Sequence, residues 1–329
     1  MKILVFEPNW LGDVILTTPI FKTLKSHFKD CQLTCCITSR CRDVVAHNPY
    51  VDNIIEFNER VEDRSLIKKA IFVNKIKGYD LAILLHRSLT RTILCYLAGI
   101  KQRVGYGYKK RSWLLTSAWP SVDKDSVHKQ DYYLDILKAI NISICNNNCI
   151  VYVSKKEKEW ANEIVTDVAS SDRRLVAVNL LTNWVPKNWK LENFINMIEL
   201  IKERFKNVDF ILTSKNKVSF PEMSCVTNLT EQTSILQLAA LYERCDLVIS
   251  GDSGPLHLAG AVGAKYLGLY GPTAPRLTSV RSEACGIILS KNELCHTPCY
   301  EKKCAKNFIC MDAITPIDAF NAALKLLSN

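Results

Sequence analysis

The sequence predicts an α/β protein made of two Rossmann-like domains with parallel sheets, and three observations predict it. Short runs that are apolar almost throughout recur along the chain, as strands covered by helices on both faces require. Between them lie segments whose apolar residues repeat at helical spacing. The alternation runs twice, on either side of a polar stretch near residue 150, and 329 residues suit two domains.

The elements follow in order. KILVFEP (2–8) reads as the first strand and Asn9-Trp10-Leu11-Gly12-Asp13 as the loop after it. Thr18-Pro19 then opens a helix with proline at its first position, and Ile20, Leu24 and Phe28 give it one apolar face. LTCCIT (33–38), NIIEF (53–57) and YDLAILL (79–85) read as strands, and 65–76, 90–99 and 128–140 as helices. In the second half VAVNLL (176–181), VDFILTS (208–214), DLVIS (246–250) and YLGLYG (266–271) read as strands, and 192–205, 234–245 and 255–263 as helices. Asn146-Asn147-Asn148 and the charged run 155–159 interrupt the pattern, which sets expected domains of 1–150 and 151–329. The last helix, after Thr315-Pro316, carries Ile317, Phe320, Leu324 and Leu327 and is a candidate to pack back on the first domain.

A chain 48% hydrophobic and 23% charged is neither disordered nor collagen-like. No run of 18 apolar residues occurs, so no spanning helix is expected. Glu7 and Pro8 cut the first apolar stretch too short for a signal-peptide core, and a cytoplasmic location is expected. Fourteen cysteines are many for that compartment but below the roughly 8–10% of a secreted disulfide scaffold. Cys35, Cys36, Cys95 and Cys245 lie in apolar segments, where a thiol packs as a small hydrophobe.

The net charge of +10 is uneven: residues 1–150 hold 22 Lys and Arg against 14 Asp and Glu, the remainder 21 against 19. Residues 81–122 contain no acid at all, but do contain Arg87, Arg91, Lys101, Arg103, Lys109, Lys110 and Arg111. Such a stretch attracts an anion; it is also what a solvated basic face looks like.

Ligands of open α/β sheets sit beyond the carboxyl ends of the strands, and two turns there carry reactive residues. Asp13, with Gly12 before it, emerges after the first strand, where it can act as a general base or cap a helix. Ser250-Gly251-Asp252-Ser253-Gly254-Pro255-Leu256-His257 follows another strand. Free N–H groups of Ser253 and Gly254 at the head of a helix begun by Pro255 suit a phosphate, the alternative being an ordinary turn capped by Asp252. In the segment Thr182–Trp189, Lys187 stands between two tryptophans on an expected ordered loop and can set an ammonium against a diphosphate. Neither G-x-G-x-x-G after a strand nor G-x-x-x-x-G-K-[ST] is present, which argues against a dinucleotide oxidoreductase and a P-loop NTPase. Cys295, Cys299, Cys304 and Cys310 fall within sixteen residues, dense enough for a structural zinc or iron, without the C-x2-C pairs such sites favour. A disulfide or redox pair and free thiols remain open for them.

Several stretches together carry a resemblance: PNWLGDVILTTP (8–19), RVGYG (103–107), the His128-led helix, PKNW (186–189), ISGDSGPLHLAGAVGAKYLGLYGPT (249–273) and CHTPCYEKKCAKNFICMDAITP (295–316). The chain resembles the ADP-heptose:lipopolysaccharide heptosyltransferases, the family 9 glycosyltransferases, and within them most the heptosyltransferase II branch. The resemblance implies a GT-B architecture of two facing Rossmann-like domains, the first for the acceptor and the second for the nucleotide-sugar. It implies inverting, metal-independent transfer of L-glycero-D-manno-heptose from ADP-heptose to inner-core lipopolysaccharide, with no cofactor required, at the inner face of the cytoplasmic membrane. Asp13 would be the general base, Lys187 would meet the diphosphate, Asp252 the donor sugar, and Ser253, Gly254 and Pro255 the phosphates, with Thr182 and His257 nearby in the donor site. Gly12, Arg87, Arg91, Lys109, Lys110 and Arg111 would face the anionic acceptor. Two alternatives stand beside this reading: the same fold with another nucleotide-sugar or acceptor, and a basic nucleic-acid-binding protein with a cysteine–metal module. Three reactive groups at separate strand ends favour the enzyme, and no nucleic acid is expected.

Overall fold

The computed structural model describes residues 1–59, 61–168, 173–301 and 304–328, and the chain divides into Met1–Tyr152 and Val153–Asn329. In the first unit the strands are β1 (Lys2–Phe6), β2 (Gln32–Ile37), β3 (Asn53–Glu56), β4 (Leu81–Leu84), β5 (Gln102–Tyr106) and β6 (Ser117–Trp119). Its helices are α1 (Leu11–Thr17), α2 (Pro19–His27), α3 (Leu66–Lys75), α4 (Leu89–Leu97) and α5 (Lys129–Leu134). All pairings in the sheet are parallel, in the order β3-β2-β1-β4-β5-β6. β1 is the innermost strand that the chain lays down, and Ile3, Leu4, Val5 and Phe6 are all fully buried, which is why it reads as an unbroken apolar run.

The second unit repeats the plan. Its strands are β7 (Arg174–Asn179), β8 (Val208–Thr213), β9 (Val226–Asn228), β10 (Leu247–Gly251), β11 (Tyr266–Tyr270) and β12 (Gly286–Ser290). Helices α6 (Lys155–Val168), α7 (Leu191–Arg204), α8 (Ile235–Glu243), α9 (Gly254–Ala261), α10 (Pro275–Thr278), α11 (Ile309–Asp312) and α12 (Pro316–Ser328) accompany them. The order β12-β11-β10-β7-β8-β9 is again parallel throughout. Read outward from its first strand, each sheet has the doubly wound order 3-2-1-4-5-6, so each has one switch point, between β1 and β4 and between β7 and β10.

Three elements differ from the sequence reading. Residues 11–13, expected in the loop 9–13, instead begin α1, and Asp13 stands in its first turn. The charged run at 155–159, read as a break, begins α6, whose one fully buried residue is Ala161; a helix so polar shows little apolar period. In α12 the buried residues are Ala319, Ala322, Ala323, Leu326 and Leu327, which share a core with residues of α7, β7, β8 and β10; of the expected positions only Leu327 is among them, Phe320 and Leu324 being partly buried and Ile317 exposed. Among the described residues no helix is long and apolar enough to cross a membrane.

Candidate active site

At the β7/β10 switch point the two turns come together. The turn after β7 contains a short 3-10 segment, Val185–Lys187, with Pro186 buried at its start. Asn188 staples that turn: its Oδ1 accepts from the Thr182 N–H at 2.7 Å and from the Thr182 hydroxyl at 2.9 Å. Thr182 therefore braces the loop, and Lys187 is aimed by it. The Lys187 ammonium donates to the Asp252 carboxylate at 2.6 Å and to the Asp252 carbonyl at 3.1 Å. Gly251 makes this approach possible, because a Cβ there would stand 3.0 Å from Thr182 Cγ2 and 3.1 Å from the Lys187 carbonyl.

Asp252 is 4% exposed and Lys187 20%, so the pair is largely desolvated. Burial alone would raise the Asp252 carboxyl; the Lys187 ammonium and the charge of His257 more than offset it and hold the group below the usual aspartate range. Asp252 is therefore committed to Lys187 and does not cap α9, whose N-cap is Ser253, with no side-chain cap bond. Pro255 sits in the first turn of α9 and His257 is buried within that helix. The N–H groups of Ser253 and Gly254 have no carbonyl one turn earlier, so this end of α9 offers donors beside a single ammonium.

In the first unit Asp13 stands in the first turn of α1, just after β1. Asp13 accepts from the Lys129 ammonium at 3.3 Å and from the Tyr133 hydroxyl, both supplied by α5. The Asp13 side chain remains 13% exposed, reachable yet oriented by two donors. Gly12 precedes it in the same turn.

Of the cations expected to face an acceptor, the structure divides the set. Arg91 is buried and spends its guanidinium on the Glu7 carbonyl (2.7 Å), the Asn9 side chain (2.7 Å) and Glu59 (3.1 Å). Arg111 is also buried and donates to Thr92 (3.0 Å) and the Leu84 carbonyl (3.2 Å), in a space kept open by Gly105. These two hold the strand ends in place. Arg87 instead stacks on Tyr106, Tyr108 and Tyr132, with centroids at 5.4, 5.3 and 5.0 Å, and Lys109 and Lys110 are exposed.

Sequence reasoning passed over Asn188, Tyr133 and Glu7. Glu7 is fully buried at the end of β1; Thr17 donates to one carboxylate oxygen at 2.5 Å, and Oε1 is buried with no hydrogen-bond partner among the described residues. A lone carboxylate ending an apolar strand was the available signal. For the four C-terminal cysteines, Cys310 is buried and Cys304 Sγ accepts from the Phe308 N–H at 3.2 Å. Among the described residues no group of three or more His, Cys, Asp or Glu side chains is gathered closely enough to hold a metal ion.

Comparison with known proteins gives these sites a context. The model of glycosyltransferase family 9 (heptosyltransferase) matches residues 73–309. A lipooligosaccharide heptosyltransferase 2 of Haemophilus ducreyi is 26% identical over 314 residues, covering 88% of each chain. Among solved structures, a family 9 glycosyl transferase of Veillonella parvula superposes with a TM-score of 0.87 at 22% identity, covering 99% of this chain and 97% of that one. The ADP-heptose lipopolysaccharide heptosyltransferase II of Escherichia coli gives 0.78 at 21% identity, covering 100% and 99%. The expected α/β fold with GT-B architecture is the fold of these neighbours.

Proposed function

The chain belongs to glycosyltransferase family 9, and on that premise we propose that it moves L-glycero-D-manno-heptose from ADP-heptose to the inner core of a lipopolysaccharide precursor, with inversion at the anomeric carbon. The observation that carries the reading is the Lys187–Asp252 pair set across the β7/β10 switch point beside the head of α9. An ammonium and unpaired N–H groups suit a diphosphate, and a carboxylate suits sugar hydroxyls.

The chemistry is one displacement. Asp13, an oxygen base held by Lys129 and Tyr133, takes the proton of the acceptor hydroxyl. The acceptor oxygen forms its bond to the anomeric carbon as the bond from that carbon to the diphosphate oxygen breaks. Negative charge then collects on departing ADP, where Lys187 and the N–H groups of Ser253 and Gly254 stabilise it. Asp252 orients Lys187 and the donor sugar, with Pro255 and His257 shaping the start of α9. Thr182 fixes the loop. Arg87, Lys109 and Lys110, with Gly12 beside the base, meet the anionic acceptor, while Arg91 and Arg111 keep that surface in register. The enzyme works in the cytoplasm, peripheral to the membrane that holds its acceptor.

Incubation with ADP-heptose and a heptose-deficient lipopolysaccharide tests this. The expected result is a mass gain of one heptose on the acceptor with one ADP released per transfer. ADP release without acceptor gain, or transfer only from a different nucleotide-sugar, would overturn the proposed reaction.

A further inference from the structure

Helices α3 and α4 lie on the same face of the first sheet. Phe72 and Ile76 from the first, and Leu94, Cys95 and Ala98 from the second, share one apolar cluster with Leu4, Phe6 and Leu84 of the strands. A helix covering a sheet normally turns polar residues outward. These two do not. On α3 the outward stripe is Ile67, Ala70, Ile71 and Asn74, at i, i+3, i+4 and i+7, with Leu66 beside it; Leu66, Ile67 and Ile71 are 83%, 75% and 62% exposed. On α4 the exposed residues are Leu89, Ile93, Tyr96 and Leu97, at i, i+4, i+7 and i+8. The 3-10 segment Lys109–Leu114, packed beside α4, adds Trp113 at 90% exposure.

Neither helix carries an acid, although Glu62 and Asp63 precede α3 and Glu59 meets Ser88 and Arg91 at the head of α4. From Arg64 to Val122 the chain has twelve Lys and Arg and a single acid, Asp80, which accepts from the Lys2 N–H at 2.7 Å. Arg64, Lys68, Lys75, Lys77 and Lys101 are exposed at the flanks of the two helices. An apolar stripe bordered by lysines, with an exposed indole, is the composition of helices that lie in a lipid interface: the aliphatic side chains enter the acyl boundary and the ammonium groups reach the headgroups.

We propose that the outward sides of α3 and α4, with Trp113, form a docking face for an anionic lipid bilayer. Charge decides against a second copy as the occupant, since a twofold contact would press the same cationic set against itself. The face is assigned from exposure and charge; its use in bringing the enzyme to a lipid-anchored acceptor rests on the proposed function.

Sedimentation with vesicles tests the assignment. The native protein is expected to pellet with vesicles of phosphatidylethanolamine and phosphatidylglycerol, to stay in solution with phosphatidylcholine vesicles, and to release in high salt. The Ile67→Glu/Ile71→Glu variant, and separately Trp113→Ser, are expected to bind the anionic vesicles at least about tenfold more weakly while keeping the native far-UV circular dichroism spectrum. Equal binding by native protein and variants overturns the proposal, as does absence of binding to anionic vesicles. A native dimer that Ile67→Glu/Ile71→Glu breaks would give the face to a second copy and overturn it too. Failure of heptose transfer to a delipidated acceptor would count against the proposed reaction and leave the vesicle result standing.

Discussion

Lys187 Nζ lies 2.6 Å from Asp252 Oδ2, although the two residues follow different strands, β7 and β10, which are neighbours only because the order of the strands reverses between them. The contact is a buried ion pair, and removing one partner leaves the other charge stranded. Lys187→Ala is expected to cost about 3 kcal/mol of stability at neutral pH. Because the pair holds the Asp252 carboxyl below its ordinary value of 3.8, its contribution is present above that pH and disappears as pH falls through the depressed value. Urea melts of native and variant protein should therefore converge in acid; a constant gap across pH would contradict the pairing.

Asp13 accepts from Lys129 and Tyr133 in the structure, so its replacement by the isosteric amide changes basicity more than shape. Asp13→Asn is expected to lower heptose transfer by roughly two to four orders of magnitude, the usual range for losing a general base. Circular dichroism should show the fold intact. Transfer within a few-fold of the native rate would remove Asp13 from its role.

Glu7 supplies a pH dependence of the opposite sign. Burial, only partly offset by the Thr17 hydrogen bond and Arg91, pushes its carboxyl up to about 8 from an ordinary value of 4.5. Between those values the native protein keeps a proton that the unfolded chain has lost. The contribution is therefore complete below 4.5 and drains away as pH rises to about 8, at about 1.4 kcal/mol per pH unit. Glu7→Gln is expected to match the native melting temperature near pH 5 and exceed it at pH 8 and above. Parallel melting curves at all pH values would show that Glu7 is already ionised in the native state.

Gly251 has ordinary backbone geometry, and its requirement is space. A Cβ would meet Thr182 Cγ2 and the Lys187 carbonyl at 3.0 and 3.1 Å, so Gly251→Ala should push the 182–188 turn away from β10. The expected cost is about 1–3 kcal/mol from overpacking, with a matching loss of ADP affinity. A stable variant that binds ADP normally would show that the turn can yield without consequence.

Much of the fold was legible because the inner strands are buried on both faces: β1, β8, β10 and β11 announce themselves as apolar runs. The edge strands β6, β9 and β12 did not, being short or only partly buried, and Gln102 and Arg103 begin β5 with polar residues. Gly12 disguised α1 as a turn. In the site, Lys187 and Asp252 were each visible as reactive residues at strand ends, but their pairing depends on the adjacency of β7 and β10, which no local spacing encodes. Arg91 and Arg111 looked like members of a basic face. Only the path of the chain reveals that Arg91 bridges residues more than eighty positions away and that Arg111 fills the space left by Gly105.

Calorimetric titration of ADP into native protein, Asp13→Asn and Lys187→Ala tests most directly whether the nucleotide is held at the β7/β10 switch point. Native protein and Asp13→Asn should bind ADP with affinities within about twofold, and Lys187→Ala at least about tenfold more weakly, as loss of a charge-assisted contact implies. Undiminished ADP binding by Lys187→Ala, or loss of binding in Asp13→Asn alone, would contradict the account.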